Sequence, residues 1–317
     1  MRLNPNLAAF YARSPLHQLI VSLLVVLVIG GLLFYLLILA GSLIFNAGPG
    51  VFETPFIENV FKETAFIKYS LMVQEISFFI VPAMIILTKL SPGYKTSILD
   101  IQALRINDVI LVILLAFCTF PVTGLAGQLN SGMILPDWLS GVGDWIKDKE
   151  DYADHLLELI MTPGTFAGML LNLLIIAALP AISEELIFRG VFQKIFQNIF
   201  RSGHLSVWFT SFLFSAIHLQ FYGFFPRLIL GLIFGYLFLW SRNLWFPVIA
   251  HFINNAVPVA GVYIKGWEAV NSPSAESIGK QITVVIFSLV VGIFIIARLR
   301  QSAFEERKKN PGTDNLH

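Results

Sequence analysis

Cysteine is nearly absent: Cys118 is the only one in 317 residues, and it lies inside an apolar run. That excludes an intrachain disulfide and most thiolate metal sites, and a free cysteine in such a run behaves as a small hydrophobe. Charge is also scarce, at 13% of residues against roughly 25% in an ordinary soluble domain. The charges nearly cancel, with 21 Lys and Arg against 20 Asp and Glu, so no overall bias points to nucleic acid or to an acidic partner. Internal repeats, low-complexity linkers and stretches that read as a soluble domain are missing, and so is the H-E-x-x-H pair that sets two zinc ligands on one helical face. What abounds is apolar: 56% of residues are hydrophobic and the mean hydropathy is +0.76. Water is not the main solvent of this chain.

Crossing a bilayer takes about 20 apolar residues in a helix, because every backbone group must be bonded within the segment. About eight such runs occur, at 18–45, 69–90, 108–127, 166–188, 206–221, 225–241, 244–263 and 281–298. The expected fold class is all-α, a polytopic transmembrane bundle of about eight spans. The first run is too long for a signal-peptide core and no small-residue cleavage pattern comes after it, so it reads as a retained helix. Basic loops set the orientation. Arg2 and Arg13, then Lys89, Lys95 and Arg105, then Arg189, Lys194 and Arg201, and finally Arg298, Arg300, Arg307, Lys308 and Lys309 are expected on the cytoplasmic side, both termini included. The acidic loop 128–164, with Asp137, Asp144, Asp148, Glu150, Asp151, Asp154 and Glu158, is expected outside.

Residues 190–201 place Val191, Phe192, Ile195, Phe196, Ile199 and Phe200 on one helical stripe and Gln193, Lys194, Gln197, Asn198 and Arg201 on the other. The pattern reads as an interfacial amphipathic helix or as a continuation of the fourth span; the alternative is a packed helix lining a hydrated cavity. Gly231 and Gly235 form a G-x-x-x-G pair, a sign of close helix packing.

Ionisable residues inside spans are costly and mark functional positions. Glu184 and Glu185 arrive together on the fourth run; Glu185 and Arg189 are one turn apart and can pair, while Glu184 points about 100° away. His218 lies on the fifth run, and His251 and Asn255 share a face of the seventh. A glutamate, two imidazoles and a carboxamide can activate water and stabilise an oxyanion, and the same set can ligate a divalent metal. Taken singly, a membrane histidine also serves as a helix–helix hydrogen-bonding group, and the paired glutamates can simply neutralise Arg189 and Lys194.

Together these residues resemble the CAAX-protease and bacteriocin-processing (CPBP, or Abi) intramembrane proteases. That family's signature is E-E-x-x-x-R, F-x-x-x-H and H-x-x-x-N on successive spans. Here it reads Glu184-Glu185…Arg189, Phe214…His218 and His251…Asn255. The resemblance covers about 166–263, which divides the chain into N-terminal helices with the acidic loop (1–165), a protease core (166–263) and a last helix with a basic tail (264–317). It implies peptide-bond hydrolysis in a membrane-associated protein or peptide, in a multi-pass protein of a bacterial plasma membrane. Its implied roles are Glu184 with His218 activating water, His251 with Asn255 forming the oxyanion hole, and Glu185 with Arg189 bracing the site. No cofactor is needed for a glutamate mechanism, whereas a metal mechanism would use zinc on Glu184, His218 and His251. Implied partners are the substrate and the lipid bilayer, not nucleic acid. A non-catalytic immunity or scaffold protein of the same fold and an ion- or proton-coupled transporter are the competing readings. One geometric difficulty remains. Glu184 falls near the cytoplasmic end of its run while His218 lies about 18 Å into the next. The two meet only if 190–201 continues the fourth helix inward, with a cavity open to the cytoplasm.

Overall fold

The computed structural model describes residues 13–45, 64–90, 98–101, 104–133, 136–161, 165–271 and 278–309. Arg2 and Lys95, used above for orientation, lie outside the described residues. In chain order the helices are α1 (Pro15–Ile44), α2 (Thr64–Lys89), α3 (Ile106–Ser131), α4 (Ser140–Met161), α5 (Phe166–Phe200), α6 (Gly203–Ala216), α7 (Phe224–Ser241), α8 (Trp245–Lys265), α9 (Trp267–Asn271) and α10 (Ile278–Lys309). No strand occurs among the described residues. Seven helices, α1, α2, α3, α5, α7, α8 and α10, are long and apolar enough to cross a membrane. The chain is an all-α, polytopic integral membrane protein. The basic residues expected in a tail belong instead to α10, which stays helical to Lys309.

The expected eighth span is the exception. The run 206–221 yields only α6, 14 residues long, which at about 1.5 Å per residue is shorter than a hydrocarbon core of about 30 Å. It stops because the chain turns: Leu219, φ 53°, takes the left-handed conformation and donates its N–H to Ala216 O. Apolar content alone does not reveal this turn.

The segment 190–201 is not an interfacial helix. It continues α5, which runs unbroken for 35 residues, and Val191, Gln193, Ile195 and Phe196 are buried. Gln193, on the polar stripe, donates its Nε2–H to Gly235 O of α7 at 3.0 Å. Helix α5 then ends where Arg201 adopts φ 51°, and Ser202 caps α6 by accepting from Leu205 N–H at 3.3 Å. From this turn Glu184 stands about 24 Å back along α5 and His218 about 22 Å along the α6 direction. The difficulty of matching their depths disappears.

Close packing fixes the remaining levels. A Cβ at Gly235 would fall 2.8 Å from Val207 Cγ1, and one at Gly231 would fall 3.0 Å from Ser211 Cβ. The G-x-x-x-G pair therefore lets α7 meet α6 nearly backbone to side-chain root. Gly235→Val is expected to cut the monodisperse yield of the purified protein at least fivefold. Gly124→Val, where an added Cβ meets nothing within 4 Å, is expected to match wild type in the same size-exclusion profile. On α5, Gly190 packs against Leu244, Ile98 and Leu87 at 3.4–3.5 Å from the place of a Cβ. The start of α8 thus lies level with the middle of α5. There the turn before α8 clasps residues 98–100: Leu244 N–H donates to Ile98 O, Trp245 Nε1–H to Leu99 O and Asn243 Nδ2–H to Asp100 O.

The acidic segment 128–164 holds a helix the sequence pattern did not suggest. In α4, Ile160 and Met161 pack with Ile67, Val259 and Val262, while Asp144, Asp148, Asp151, Asp154 and Glu158 remain exposed.

Candidate active site

Glu184 and Glu185 end an α-helical stretch, Leu179–Glu185, and a π-helical one, Leu186–Gln193, comes directly after it. Such wide turns inside helices are frequent at functional sites. Glu185 and Arg189 are both fully buried, and Arg189 Nη1–H donates to Glu185 Oε1 at 3.1 Å. The guanidinium also donates to Gly231 O at 3.1 Å and lies 4.6 Å from the centre of the Phe214 ring and 5.6 Å from that of Phe234. A buried cation persists only when its charge and its donors are met. Here one carboxylate and two ring faces meet the charge, and Glu185 Oε1 and Gly231 O take one bond each from Nη1 and Nη2, while Nε is buried without a hydrogen-bond partner.

His251, buried on α8, stacks on Phe234 with centroids 5.0 Å apart and lies T-shaped to Phe214 with centroids 5.9 Å apart. Its Nδ1–H donates to Glu185 Oε1 at 2.9 Å, and its Nε2 then faces Glu184 Oε2 at 3.8 Å. Glu185 thus fixes Arg189 and His251 together, and the second imidazole nitrogen is aimed at the second glutamate. A 3.8 Å gap is too long for a direct hydrogen bond but places both groups within reach of one water-sized atom.

His218 lies just beyond the end of α6. Its Nδ1–H donates to Phe214 O at 2.8 Å, which leaves Nε2 as the acceptor of the neutral ring, without a partner among the described residues. Phe214 therefore links both histidines: its carbonyl orients His218, and its ring touches His251 and Arg189. Asn255 spends one Nδ2–H on Ile176 O at 3.2 Å and keeps the other. The neighbouring Asn254 points elsewhere, accepting from Thr119 Oγ1–H at 3.0 Å. All six sequence-derived residues stand on the packed helices α5 to α8 or the loop between α6 and α7. The tight cluster is Glu184, Glu185, Arg189 and His251, while His218 and Asn255 flank it.

Three ionisable residues join these surroundings that the sequence pattern did not single out. Glu75 of α2 is buried and accepts a short hydrogen bond from Ser183 Oγ–H, next to Glu184, whose field it shares. Arg227 of α7 acts electrostatically on both Glu184 and Glu150, and Glu150 of α4 is buried. Glu75 and Arg227 carry a legible signal, since each is a charge inside an apolar run. Glu150 carries none, because it is one acid among many on an exposed helix.

Towards Phe200 the helices close in an apolar cluster of Ile187, Phe188, Val191, Ile195, Leu244 and Leu87. Towards α4 lie Arg227, the loop 217–223 and a cavity of about 240 Å³ lined by residues including Asp144, Lys147, Phe221 and Tyr222.

A zinc on Glu184, His218 and His251 matches this geometry only in part. Both imidazoles have Nδ1 engaged and Nε2 presented, as ligating histidines do. However, no three His, Cys, Asp or Glu side chains stand close enough to hold a metal together among the described residues. The trio as placed is not a ligand sphere.

Comparison with known proteins adds a further finding. A Bacillus subtilis protein named uncharacterized protein YpbD is 30% identical over 90 residues, which is 27% of this chain and 43% of that protein. The chain therefore spans less than half the length of this curated relative. No solved structure matches. Residues 166–257 match the family model described as type II CAAX prenyl endopeptidase Rce1-like, and these residues hold the three motifs assembled above. By that segment, the chain is similar to the Rce1-like, or CPBP, family.

Proposed function

We propose that this protein is an intramembrane endopeptidase that hydrolyses a peptide bond in a membrane-associated protein or peptide. The observation that carries the reading is the 3.8 Å approach of Glu184 Oε2 to His251 Nε2, beside a Glu185–Arg189 pair that is already neutralised. One carboxylate is structural and the other is free for chemistry.

In this reading a water molecule gives one hydrogen to Glu184 and directs the other at Nε2 of neutral His218. Its oxygen lone pair attacks the scissile carbonyl while Glu184 takes the proton. His251, in its imidazolium form, donates Nδ1–H to Glu185 and Nε2–H to the developing oxyanion, and Asn255 adds its remaining N–H. Collapse of the tetrahedral intermediate breaks the C–N bond, and the proton held by Glu184 passes to the leaving amine. With Glu184 and Glu185 ionised, Arg189 and His251 balance their charge, which a poorly solvated site requires.

The family match suggests the test substrate: a farnesylated peptide with three residues beyond the modified cysteine, presented in lipid nanodiscs. Release of the last three residues by wild type, and not by Glu184→Gln, supports the reading. Equal behaviour of the two proteins on this peptide, and no Glu184-dependent new termini in membrane proteomics, sink it.

In this reading the basic loops put both termini in the cytoplasm and α4 outside, and α6 with the loop 217–223, which bonds to Glu150 of α4 and Asn130 of α3, completes the even number of crossings that this needs. In a variant with Cys118 replaced, a cysteine at Lys149, which is exposed on α4, is expected to react with an impermeant maleimide in intact cells. Labelling only after the membrane is opened inverts the whole orientation.

A further inference from the structure

His218 lies just past the last turn of α6, its ring held to Phe214 O, and its backbone leads directly into the loop 219–223. The adjoining Leu219 is left-handed at φ 53° and 76% exposed. A non-glycine residue holds that conformation only when its surroundings impose it, and the Leu219 side chain has too little packing to do so.

Three helices supply the constraint. From α4, Glu150 Oε1 accepts Tyr222 N–H at 2.8 Å. From α3, buried Asn130 donates its Nδ2–H to Phe221 O. From α7, Arg227 donates Nη1–H to Gln220 O at 3.3 Å and Nη2–H to Gln220 Oε1. Gly223 makes the last arrangement possible, because a Cβ there would sit 2.5 Å from the guanidinium. Glu150 stands out on α4: it is 8% exposed while Asp144, Asp148, Asp151, Asp154 and Glu158 face outward. It meets both the loop backbone and the field of Arg227, and Arg227 in turn acts on Glu184 and His218.

We propose that Glu150 and Arg227 are positioning residues that clamp the loop 217–223 and so hold His218 for catalysis, making α4 a wall of the active site. The inference rests on the protease reading above. Glu150 has two effects in it. Its oxygen fixes the Tyr222 amide, and its charge keeps Arg227 on the loop and away from Glu184, which the guanidinium would otherwise engage.

The test uses the full chain in nanodiscs and two readouts. In hydrogen–deuterium exchange, Glu150→Ala and Arg227→Gln are expected to speed exchange at 217–223 at least tenfold. Glu150→Gln, which keeps an acceptor for Tyr222, is expected to speed it less than threefold. On the farnesylated peptide all three are expected to lower kcat at least tenfold with KM within twofold of wild type, and Arg227→Lys recovers part of the loss. Asp148→Asn, on the exposed face of α4, leaves both readouts unchanged. Exchange at wild-type rates in Glu150→Ala and Arg227→Gln overturns the clamp, and fast exchange with unchanged kcat overturns the positioning role. Should Arg227→Gln fail to fold, the two Glu150 variants decide. If wild type does not cleave the peptide, the loss falls on the protease reading, and the exchange rates alone judge the clamp.

Discussion

Glu184→Gln is expected to give a folded protein with wild-type melting temperature and a cleavage rate lower by about 10²–10⁴-fold, the usual share of a positioned general base. The shape of the side chain is kept, and Glu184 makes no direct hydrogen bond among the described residues, with His251 Nε2 3.8 Å away, so no bonded partner is lost. Glu185→Gln is the informative contrast. Its carboxylate holds both Arg189 at 3.1 Å and His251 at 2.9 Å with no exposure to solvent. Neutralising it strands a buried guanidinium and loosens an imidazole, so that variant is expected to lose folding and activity together. Two adjacent glutamates are thereby separated by a pair of measurements, single-turnover rate and thermal melting. If Glu185→Gln melts like wild type while Glu184→Gln is the one that unfolds, the division of labour between them is reversed.

Much of this was legible in the chain. Scarce charge and long apolar runs dictate a helical bundle, because lipid offers the backbone no other partner. The i, i+4 spacing predicts the Glu185–Arg189 pair, and the small residues at Gly231 and Gly235 predict the close contact of α6 and α7. What the pattern misjudged was depth. Windowed hydropathy sees the composition of 206–221 but not the left-handed Leu219 that ends α6 inside the bundle. It sees the stripes of 190–201 but not that Gln193 spends its amide on Gly235 O within the protein, so a polar stripe that suggests the bilayer surface belongs to the interior.

The roles of neighbours were also hidden wherever they depend on tertiary pairing. His251 belongs with both glutamates through its two ring nitrogens, a link that sequence separation conceals. Glu75 reaches the site through Ser183 from a helix with no motif. Glu150 is indistinguishable by residue type from the exposed acids around it; only the fold turns it inward. In the proposed reading the motifs name the reacting groups, while Glu75, Glu150 and Arg227 join them from helices that carry no motif.

Arg189→Ala is expected to have the largest effect on folding of any single change at the site. Arg189 is fully buried and binds Glu185, Gly231 O and the faces of Phe214 and Phe234 at once. Removing one partner of a buried pair costs about 3–5 kcal/mol, because the other charge is left uncompensated. That is a large part of the stability of an average protein, so the variant is expected to be recovered at a few per cent of wild-type yield, with a broad size-exclusion profile. Replacing both partners tells whether charge is the cause. In the double variant Glu185→Gln with Arg189→Met no lone charge remains and the cavity is largely filled, and such replacements are often neutral for stability. Yield is expected to return to at least half of wild type. Cleavage stays absent, since His251 has lost the carboxylate that aims its Nε2 at Glu184. A double variant as poorly folded as Arg189→Ala would mean that the guanidinium matters for its contacts with Gly231 and the two rings, and not for the charge of Glu185.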